Sequence, residues 1–273
     1  MTTAQRPEGR PRLLCKFRPW KISVEKNATT GTYVEHHRTK EMLLNAEFYC
    51  QPPRFFDDPH DGVQGARPTG SHRDIDRFLM LNLWGVPDMM RKHGISSITQ
   101  LKQITDPDDR AQMARLERKH RRREVRVLSL SSVPGCEVMW AGYGDSHRGV
   151  CLCFDADHPF FAQARAVRYV DDPKEIVDPA DDNPVNDPLL YAKSTAWAWQ
   201  REWRLVWPGE NPTLVEFPRE ALMAVVLGEW FQQGGLDELI ETLKGGGYRV
   251  QLLQMERLPE SFDYQVVPVG EIQ

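Results

Sequence analysis

The sequence predicts an α+β protein, because its helix and strand patterns segregate along the chain and do not alternate as in a doubly wound parallel sheet. Strand-like apolar patterns dominate after residue 124, whereas residues 73–120 have helical spacing. No internal repeat or linker is visible. We predict a disordered tail at residues 1–11, then a single domain at 12–273 with a helical insertion at about 73–120.

The first half contains a short strand, a helix, a second strand and a long loop. Residues 13–17 and 48–50 have strand character, and residues 40–46 have helical spacing. Residues 51–70 form a loop rich in Pro, Asp and Gly, and loops of this length are usually functional or disordered. In its segment 57–61, a turn stabilised by Asp side chains is favoured over a metal site, although such a turn could still line a site.

Three helices are predicted in the insertion. A Pro-containing segment at 84–87 breaks the first of them, and residues 97–103 and 106–120 form the other two. Two further helices are expected at 189–199 and 236–243, the second ended by a glycine run at 245–247 that can supply a left-handed cap. An acidic loop is expected at 171–187. Strands are predicted at 125–130, 149–154, 167–170, 202–207, 224–227, 248–253 and 264–267.

Bulk composition limits the class of protein. The chain has 273 residues, 40% hydrophobic and 27% charged, as in soluble globular proteins, and its formal net charge of -4 gives no global attraction to nucleic acid or membranes. We expect neither a membrane span nor a secretory signal, and therefore a cytoplasmic location without a membrane partner.

Cysteine usage agrees with a reducing compartment. The five cysteines are odd in number and contain no CxxC pair, so buried reduced thiols are favoured. A metal site built from Cys136, His147, Cys151, Cys153 and His158 is disfavoured, because Cys151 and Cys153 alternate on a strand without the turn of a chelating knuckle. We therefore assign no metal.

Two dense segments are candidates for function. Residues 138–155 crowd Trp140, Tyr143, His147 and other polar groups into a turn before a buried strand, an arrangement typical of loops that bind or react. The basic cluster at 115–123 could contact phosphates, although a solvated helix end is favoured because no aromatic residues interleave with it.

Glu202 is the main candidate for chemistry. Strand periodicity places Gln200, Glu202 and Arg204 on one face. A carboxylate there could stabilise positive charge on a sugar carbon as its leaving group departs. Spacing alone favours an ordinary exposed ion pair between Glu202 and Arg204.

These segments resemble a bacterial family known as domain of unknown function 2971. The resemblance covers about residues 13–267 and is most specific at Met139–Tyr143 and the residues that follow it, to Asp155. Gln200, Gly142 and Asp57 stand where this family commonly has an acidic residue, His and Asn. The other matching segments are 14–18, 48–61, and 193–206 followed by 225–228.

The family layout is similar to that of toxin-type ADP-ribosyltransferases with a split β-sheet, and this similarity implies NAD as a substrate. It implies that Glu202 is the catalytic carboxylate, with Gln200 beside it, and that Arg18 or Lys16 contacts the NAD phosphates or ribose. Tyr49 would stack near nicotinamide. Trp140, Tyr143 and His147 complete the NAD-binding residues assigned on this basis.

The resemblance therefore predicts an ADP-ribosyltransferase or NAD glycohydrolase acting as a toxin or phage-defence effector. Its acceptor would be nucleic acid or protein, and it could have a cognate antitoxin. Two alternatives stay open: a non-catalytic or nucleic-acid-binding defence module, and a metal-dependent nuclease using Asp58, Asp61 and His147. The surroundings of Glu202 distinguish the NAD-dependent enzyme from the binding module. Its carboxylate should open onto a pocket in the enzyme and should be sealed by Arg204 or Lys193 in the binding module.

Overall fold

A computed structural model describes most of the chain outside the predicted insertion. The described residues are 9–26, 32–56, 58, 61, 67–68, 94, 125–172, 177–178, 184–209, 211–261 and 263–273. The helices predicted between residues 73 and 120 and the basic cluster at 115–123 lie outside them, apart from Gly94.

The described residues form a mixed α/β structure around a large mixed sheet, which is compatible with the predicted α+β class. The α-helices are α1 (Arg38–Asn45), α2 (Glu137–Tyr143) and α3 (Gln233–Gly245). The strands are β1 (Leu13–Arg18), β2 (Ser23–Lys26), β3 (Tyr33–His36), β4 (Glu47–Cys50), β5 (Arg67–Pro68), β6 (Val125–Ser131), β7 (Val150–Asp155), β8 (Arg165–Ala166), β9 (Arg168–Val170), β10 (Val177–Asp178), β11 (Ala192–Ser194), β12 (Glu202–Pro208), β13 (Thr213–Glu216), β14 (Leu222–Leu227), β15 (Val250–Arg257) and β16 (Tyr264–Ile272).

The main sheet has eight strands in the order β16-β15-β14-β7-β1-β6-β12-β8. Its neighbours are antiparallel except for β14 and β15, which are parallel and are joined through α3. Within the described ranges, four small two-stranded pairings accompany it, namely β2 with β3, β4 with β13, β9 with β11, and β5 with β10. The two strands of highest apolar content, β7 and β14, are neighbours near the middle of the sheet, as expected of strands covered on both faces.

Hydrophobic clusters cover both faces of the sheet. Residues alternate between the faces along β1, where Leu14 joins the larger cluster and Cys15 the smaller one. The larger cluster includes Leu43 of α1 and Leu243 of α3, and the smaller one includes Trp140 of α2. The two faces of the sheet are thus covered by different helices.

The main sheet narrows sharply between β1 and β6. These strands share one register pair, Cys15 with Ser131. By contrast, β1 and β7 are paired from Leu13 to Arg18, and β12 is paired with β6 along its whole length. The sheet therefore consists of two well-paired halves, β16-β15-β14-β7-β1 and β6-β12-β8, that meet at a single point.

Two local predictions were wrong. The predicted helix at 189–199 is two 3-10 turns, Pro188–Tyr191 and Thr195–Gln200, separated by β11. The side chains of Asp187 and Ser194 each accept a backbone hydrogen bond at the start of a turn, so two short turns replace one helix. The segment read as a turn after residue 137 begins instead with α2.

Predicted features near the chain ends were partly confirmed. The glycine cap after α3 is present, with Gly247 as its left-handed residue at φ 72°. Residues 1–8 of the predicted tail lie outside the described residues, whereas Arg10 donates hydrogen bonds to the carbonyl oxygens of Ala156 and Phe161.

Candidate functional site

The main polar site is a buried charge cluster of Asp61, Lys193, Glu202 and Arg204. Strand β12 supplies Glu202 and Arg204, which alternate with core-packed Trp203 and Leu205. Lys193 comes from β11, and Asp61 comes from the loop after β4. Three separate chain segments therefore contribute to one cluster.

Every charge in the cluster has a partner of opposite sign. Arg204 donates from Nε to Glu202 Oε1 at 2.7 Å and from Nη2 to Asp61 Oδ2 at 2.6 Å. Lys193 Nζ lies 3.2 Å from Glu202 Oε2 and 3.1 Å from Asp61 Oδ2. Two carboxylates and two cations make the cluster neutral overall, which is the condition under which buried charges are tolerated.

Neighbouring charges fix the ionisation states of Glu202 and Arg204 on β12. Burial alone would raise the pKa of Glu202. The pKa is instead lowered to about 2 by the charge of Arg204 and the hydrogen bonds that it donates, by the charge of Lys193, and by a hydrogen bond from Ser129. Burial would lower the pKa of Arg204, whereas the charges of Glu202 and Asp61 raise it. Glu202 is therefore a carboxylate and Arg204 a cation throughout the physiological pH range.

Neighbouring groups enclose the cluster. The Arg204 guanidinium, with 1% of its side chain exposed, also donates to the Leu190 carbonyl at 2.8 Å and lies over the Phe56 ring. Tyr169 accepts a hydrogen bond at its hydroxyl from the Glu202 backbone N–H at 2.8 Å. Lys193 lies over the Trp197 ring. Glu202 is 6% exposed as a result.

Gln200 joins the cluster to Tyr143. Its Oε1 accepts from Lys193 Nζ at 2.8 Å, and its Nε2 donates to the Tyr143 hydroxyl at 3.0 Å. The structure therefore brings together three predicted site residues, Gln200, Glu202 and Tyr143. Arg201 between them has a left-handed φ of 41°, and this local turn sets the start of β12.

Lys16 is partly buried at the point where the two halves of the sheet meet. Its Nζ donates to the Ser129 carbonyl at 2.9 Å. Burial and the nearby Arg18 charge lower the pKa of Lys16 to about 8, although Cys50 and Glu202 oppose this shift. Lys16 thus contributes charge near Glu202 without a salt bridge to it within the described part of the chain.

Arg18 and Tyr49 are not brought to the charge cluster. The pairing of Cys15 with Ser131, and of Ser131 with Glu202, places Glu202 on the Cys15 face. Arg18 is separated from Cys15 by three positions, so strand alternation places it on the other face. Tyr49 is 60% exposed on β4, which pairs with β13 outside the main sheet.

Arg18 nevertheless has unusual surroundings. Its Nε is buried without a hydrogen-bond partner, and no described carboxylate forms a salt bridge with its guanidinium. Burial and the Arg38 charge lower the pKa of Arg18 from its usual value. A largely buried cation without a counter-charge is expensive, and an anionic ligand would offset that cost.

The turn at 145–147 forms a second unusual feature. Asp145, Ser146 and His147 have consecutive left-handed φ values of 52°, 52° and 65°. Such conformations cost roughly 1–2 kcal/mol per non-glycine residue, so the turn is held by its contacts. The Trp230 backbone N–H donates to the His147 carbonyl at 2.9 Å, and Gly228 permits this approach, since a Cβ there would lie 2.2 Å from the same oxygen.

His147 and Trp140 lie inside this region and do not line the charge cluster. The His147 ring stacks between those of Trp140 and Tyr264 at centroid distances of 6.4 and 5.8 Å, and its Nδ1 is buried without a partner. Trp140 is fully buried and donates from Nε1 to the Pro134 carbonyl. Both residues therefore pack the interior around the strained turn.

The geometry limits what Glu202 can do chemically. Its Oε1 accepts from Arg204, and its Oε2 contacts both Arg204 and Lys193. A carboxylate used in this way has no oxygen directed to a ligand, and its charge is already neutralised. Of the two arrangements expected from the sequence, the structure has the sealed one.

The nuclease residues are also not assembled. Asp61 is bound by Arg204 and Lys193, whereas His147 is enclosed by aromatic rings near Trp230. Among the residues that the structure describes, one trio of metal-ligating side chains is close enough to share an ion, and it consists of Cys15, Cys151 and Cys153.

The sequence indicated Glu202, Arg204 and Lys193 as possible neighbours but did not indicate Asp61 as their partner. Asp61 was assigned to a local turn, since nothing in its segment indicates a partner about 140 positions away. The thiol trio was missed for a related reason: its third member, Cys15, lies on β1 and is brought to β7 by strand pairing.

No family model, curated protein or solved structure matches the chain. None of the helices in the described ranges is long and apolar enough to cross a membrane.

Proposed function

We propose that this protein is a non-catalytic binding module for single-stranded nucleic acid, in which the charge cluster stabilises the fold. The sealing of Glu202 supports the first part of this proposal, because both carboxylate oxygens are occupied by Arg204 and Lys193. Stabilising an oxocarbenium-like transition state needs a carboxylate whose charge is directed at the sugar. The Glu202 charge is instead directed at two cations.

The binding surface in this proposal lies at the end of β1 and comprises Arg18, Trp20, Lys21, Arg148 and Trp230. An ion pair between Lys21 and Asp145 links the end of β1 to the strained turn. Arg148 lies over the Trp230 ring at 5.4 Å from its centroid, and Trp230 is 51% exposed. Cationic and aromatic groups are thus presented together.

This combination suits single-stranded nucleic acid. Exposed aromatic rings stack on bases of any sequence, and guanidinium groups contact the phosphates. Arg18 supplies a cation without a described counter-ion, and Arg148 likewise has no salt bridge to a described carboxylate. The strained turn fixes the position of Arg148 relative to Trp230. The negative net charge of the chain makes a local surface of this kind necessary for any such binding.

The test is fluorescence anisotropy with labelled single-stranded RNA and DNA and with a duplex, at several salt concentrations. We expect Trp230→Ala to weaken single-strand binding by about 5-fold to 100-fold, the range for loss of one stacking contact. Arg148→Met should reduce the salt dependence of binding by about one phosphate contact. Lys244→Met, at the far end of α3, is the matched control and should leave affinity unchanged. Equal binding by all four proteins, or none by the wild type, would refute the proposal.

A second candidate is NAD-dependent ADP-ribosyl transfer with the fold of that family, including its toxin or phage-defence setting. The narrow junction between β1 and β6 favours it, since the expected sheet is split, and so does the position of Glu202 as the first residue of β12. This alternative requires that Lys193 leave Glu202 before NAD is bound, and that Arg18, on the other face of the sheet from Glu202, reach the NAD phosphates across the narrow junction. NAD cleavage that requires Glu202 in a variant that remains folded would favour it over the binding module.

A further inference from the structure

Three thiols meet in the interior of the main sheet. Cys15 on β1 is directly opposite Cys153 on β7, and Cys151 lies two positions before Cys153 on the same face. Their sulfur atoms all lie within 4.8 Å of one another, and all three side chains are buried. Strand pairing fixes these positions, so the arrangement does not depend on a mobile loop.

The separations match those that a single metal ion requires. A metal–thiolate bond of about 2.3 Å, as for zinc, gives sulfur–sulfur distances of about 4 Å in a trigonal plane. The Cys151–Cys153 distance is 4.0 Å, and the Cys15–Cys153 distance is 3.3 Å. An ion could therefore be accommodated with sulfur shifts of less than about 1 Å.

The surrounding side chains favour a soft ion. The trio belongs to the smaller hydrophobic cluster, together with Met139 and Met255, and among the described residues no carboxylate or imidazole joins the three sulfur atoms as a further ligand of the same group. Thiolate and thioether ligands select Cu(I) over hard cations. Zinc in structural sites takes four ligands, usually from Cys and His, and the described part of the chain provides no fourth Cys, His or carboxylate ligand to this group.

We propose that Cys15, Cys151 and Cys153 form a buried three-coordinate binding site for Cu(I). The Cys15 thiol donates a hydrogen bond to the Cys153 sulfur at 3.3 Å, so these sulfur atoms already face each other. Each thiol that loses its proton on binding Cu(I) releases that proton to solvent, so binding tightens as the pH rises.

Burial determines how the site must be loaded. The three sulfurs are not exposed in the folded chain, so Cu(I) should enter during folding or through transient opening. The experiment is therefore anaerobic refolding from urea with Cu(I) supplied by a competing chelator of known affinity. Bound copper is then quantified, its ligands are identified by X-ray absorption, and its effect on the melting temperature is measured.

We expect one copper ion per chain, three sulfur ligands and a raised melting temperature. Loss of a direct ligand should cost more than the 10-fold to 100-fold typical of supporting residues, so Cys153→Ser should weaken binding by more than about 100-fold. Cys50→Ser and Cys136→Ser are matched controls, one buried and one partly exposed, and should retain the ion.

Cys153→Ser could also fail through misfolding, so Cys15→Ala and Cys151→Ala are tested beside it, and circular dichroism confirms each fold. Binding that survives these three changes would overturn the proposal. So would copper bound through Cys136, a fourfold zinc site that excludes copper, or no bound metal after refolding. None of these results bears on the nucleic-acid proposal, which uses a different surface.

Discussion

Replacing Glu202 by glutamine tests whether the charge cluster is structural. The substitution removes one negative charge from a neutral group of four and leaves Arg204 and Lys193 facing Asp61 alone. If the glutamine takes the place of the carboxylate, its amide oxygen can accept a hydrogen bond from Arg204. Its amide NH2 group then occupies the position of the carboxylate oxygen that lies 3.2 Å from Lys193 Nζ, so two donors face each other. Breaking a buried ion pair in this way costs about 3–5 kcal/mol.

We therefore expect Glu202→Gln to lower the free energy of unfolding by about 3 kcal/mol. Urea denaturation followed by circular dichroism measures it, with Glu256→Gln, an exposed glutamate on β15, as the matched control. The control should change stability by less than about 0.5 kcal/mol. A Glu202→Gln protein within about 1 kcal/mol of wild type would refute the reasoning, because an uncompensated buried charge cannot be that inexpensive.

A double substitution separates charge from packing. Replacing both Glu202 and Arg204 by methionine leaves Lys193 and Asp61 as a neutral pair at 3.1 Å. Replacing a buried ion pair with apolar groups is often neutral or stabilising. The double variant should accordingly be more stable than either single variant, with a coupling energy of about 1–3 kcal/mol. Additive effects would show that the two side chains do not act as a unit.

Three further outcomes follow from the same contacts. Glu202, with a pKa near 2 against an ordinary 4.5, contributes stability that is complete above about pH 4.5 and is lost as the pH falls towards 2. Urea titrations should show a loss of about 3 kcal/mol over this pH range in the wild type and no such loss in Glu202→Gln. A wild type whose stability does not change over this range would contradict the expectation. Folding disfavours the charged form of Lys16, whose pKa is near 8 against an ordinary 10.5, so the free energy of unfolding should rise between pH 8 and 10.5. The Lys16→Met variant should be more stable than the wild type at pH 7 and should lack this rise. A less stable variant would show that the charge is needed. Gly228→Ala places a Cβ 2.2 Å from the His147 carbonyl oxygen and should destabilise by more than about 2 kcal/mol in thermal melts, whereas Gly234→Ala, which meets nothing within 4 Å, should not; equal melting temperatures would mean that the strained turn yields freely.

Regular strands were the most predictable part of the fold. The alternation at β6 and the continuous apolar run at β7 indicate partly and fully buried strands, and both are present. The segment after Asp187 was not predictable to the same degree. Its apolar residues suit a helix, but the Asp187 and Ser194 side chains bind local backbone and start separate turns.

Three members of the charge cluster were anticipated, since Glu202 and Arg204 are two positions apart on one strand and Lys193 was expected as an alternative partner of Glu202. Their fourth partner, Asp61, depends on how a distant segment packs, and spacing along the chain carries no information about that. The same limit applies to burial: the spacing favoured an exposed ion pair, and this expectation was wrong because β11 and the loop after β4 cover β12.

The most direct test of the central claim is the release of nicotinamide from NAD by the folded wild-type protein, alone and with RNA, DNA or cell lysate. Because the Glu202 carboxylate is sealed by Arg204 and Lys193, we predict no release above that of buffer and no change in melting temperature with NAD. Release by the wild type, lost in a Glu202→Gln protein that circular dichroism shows to be folded, would contradict the account and identify Glu202 as a catalytic residue.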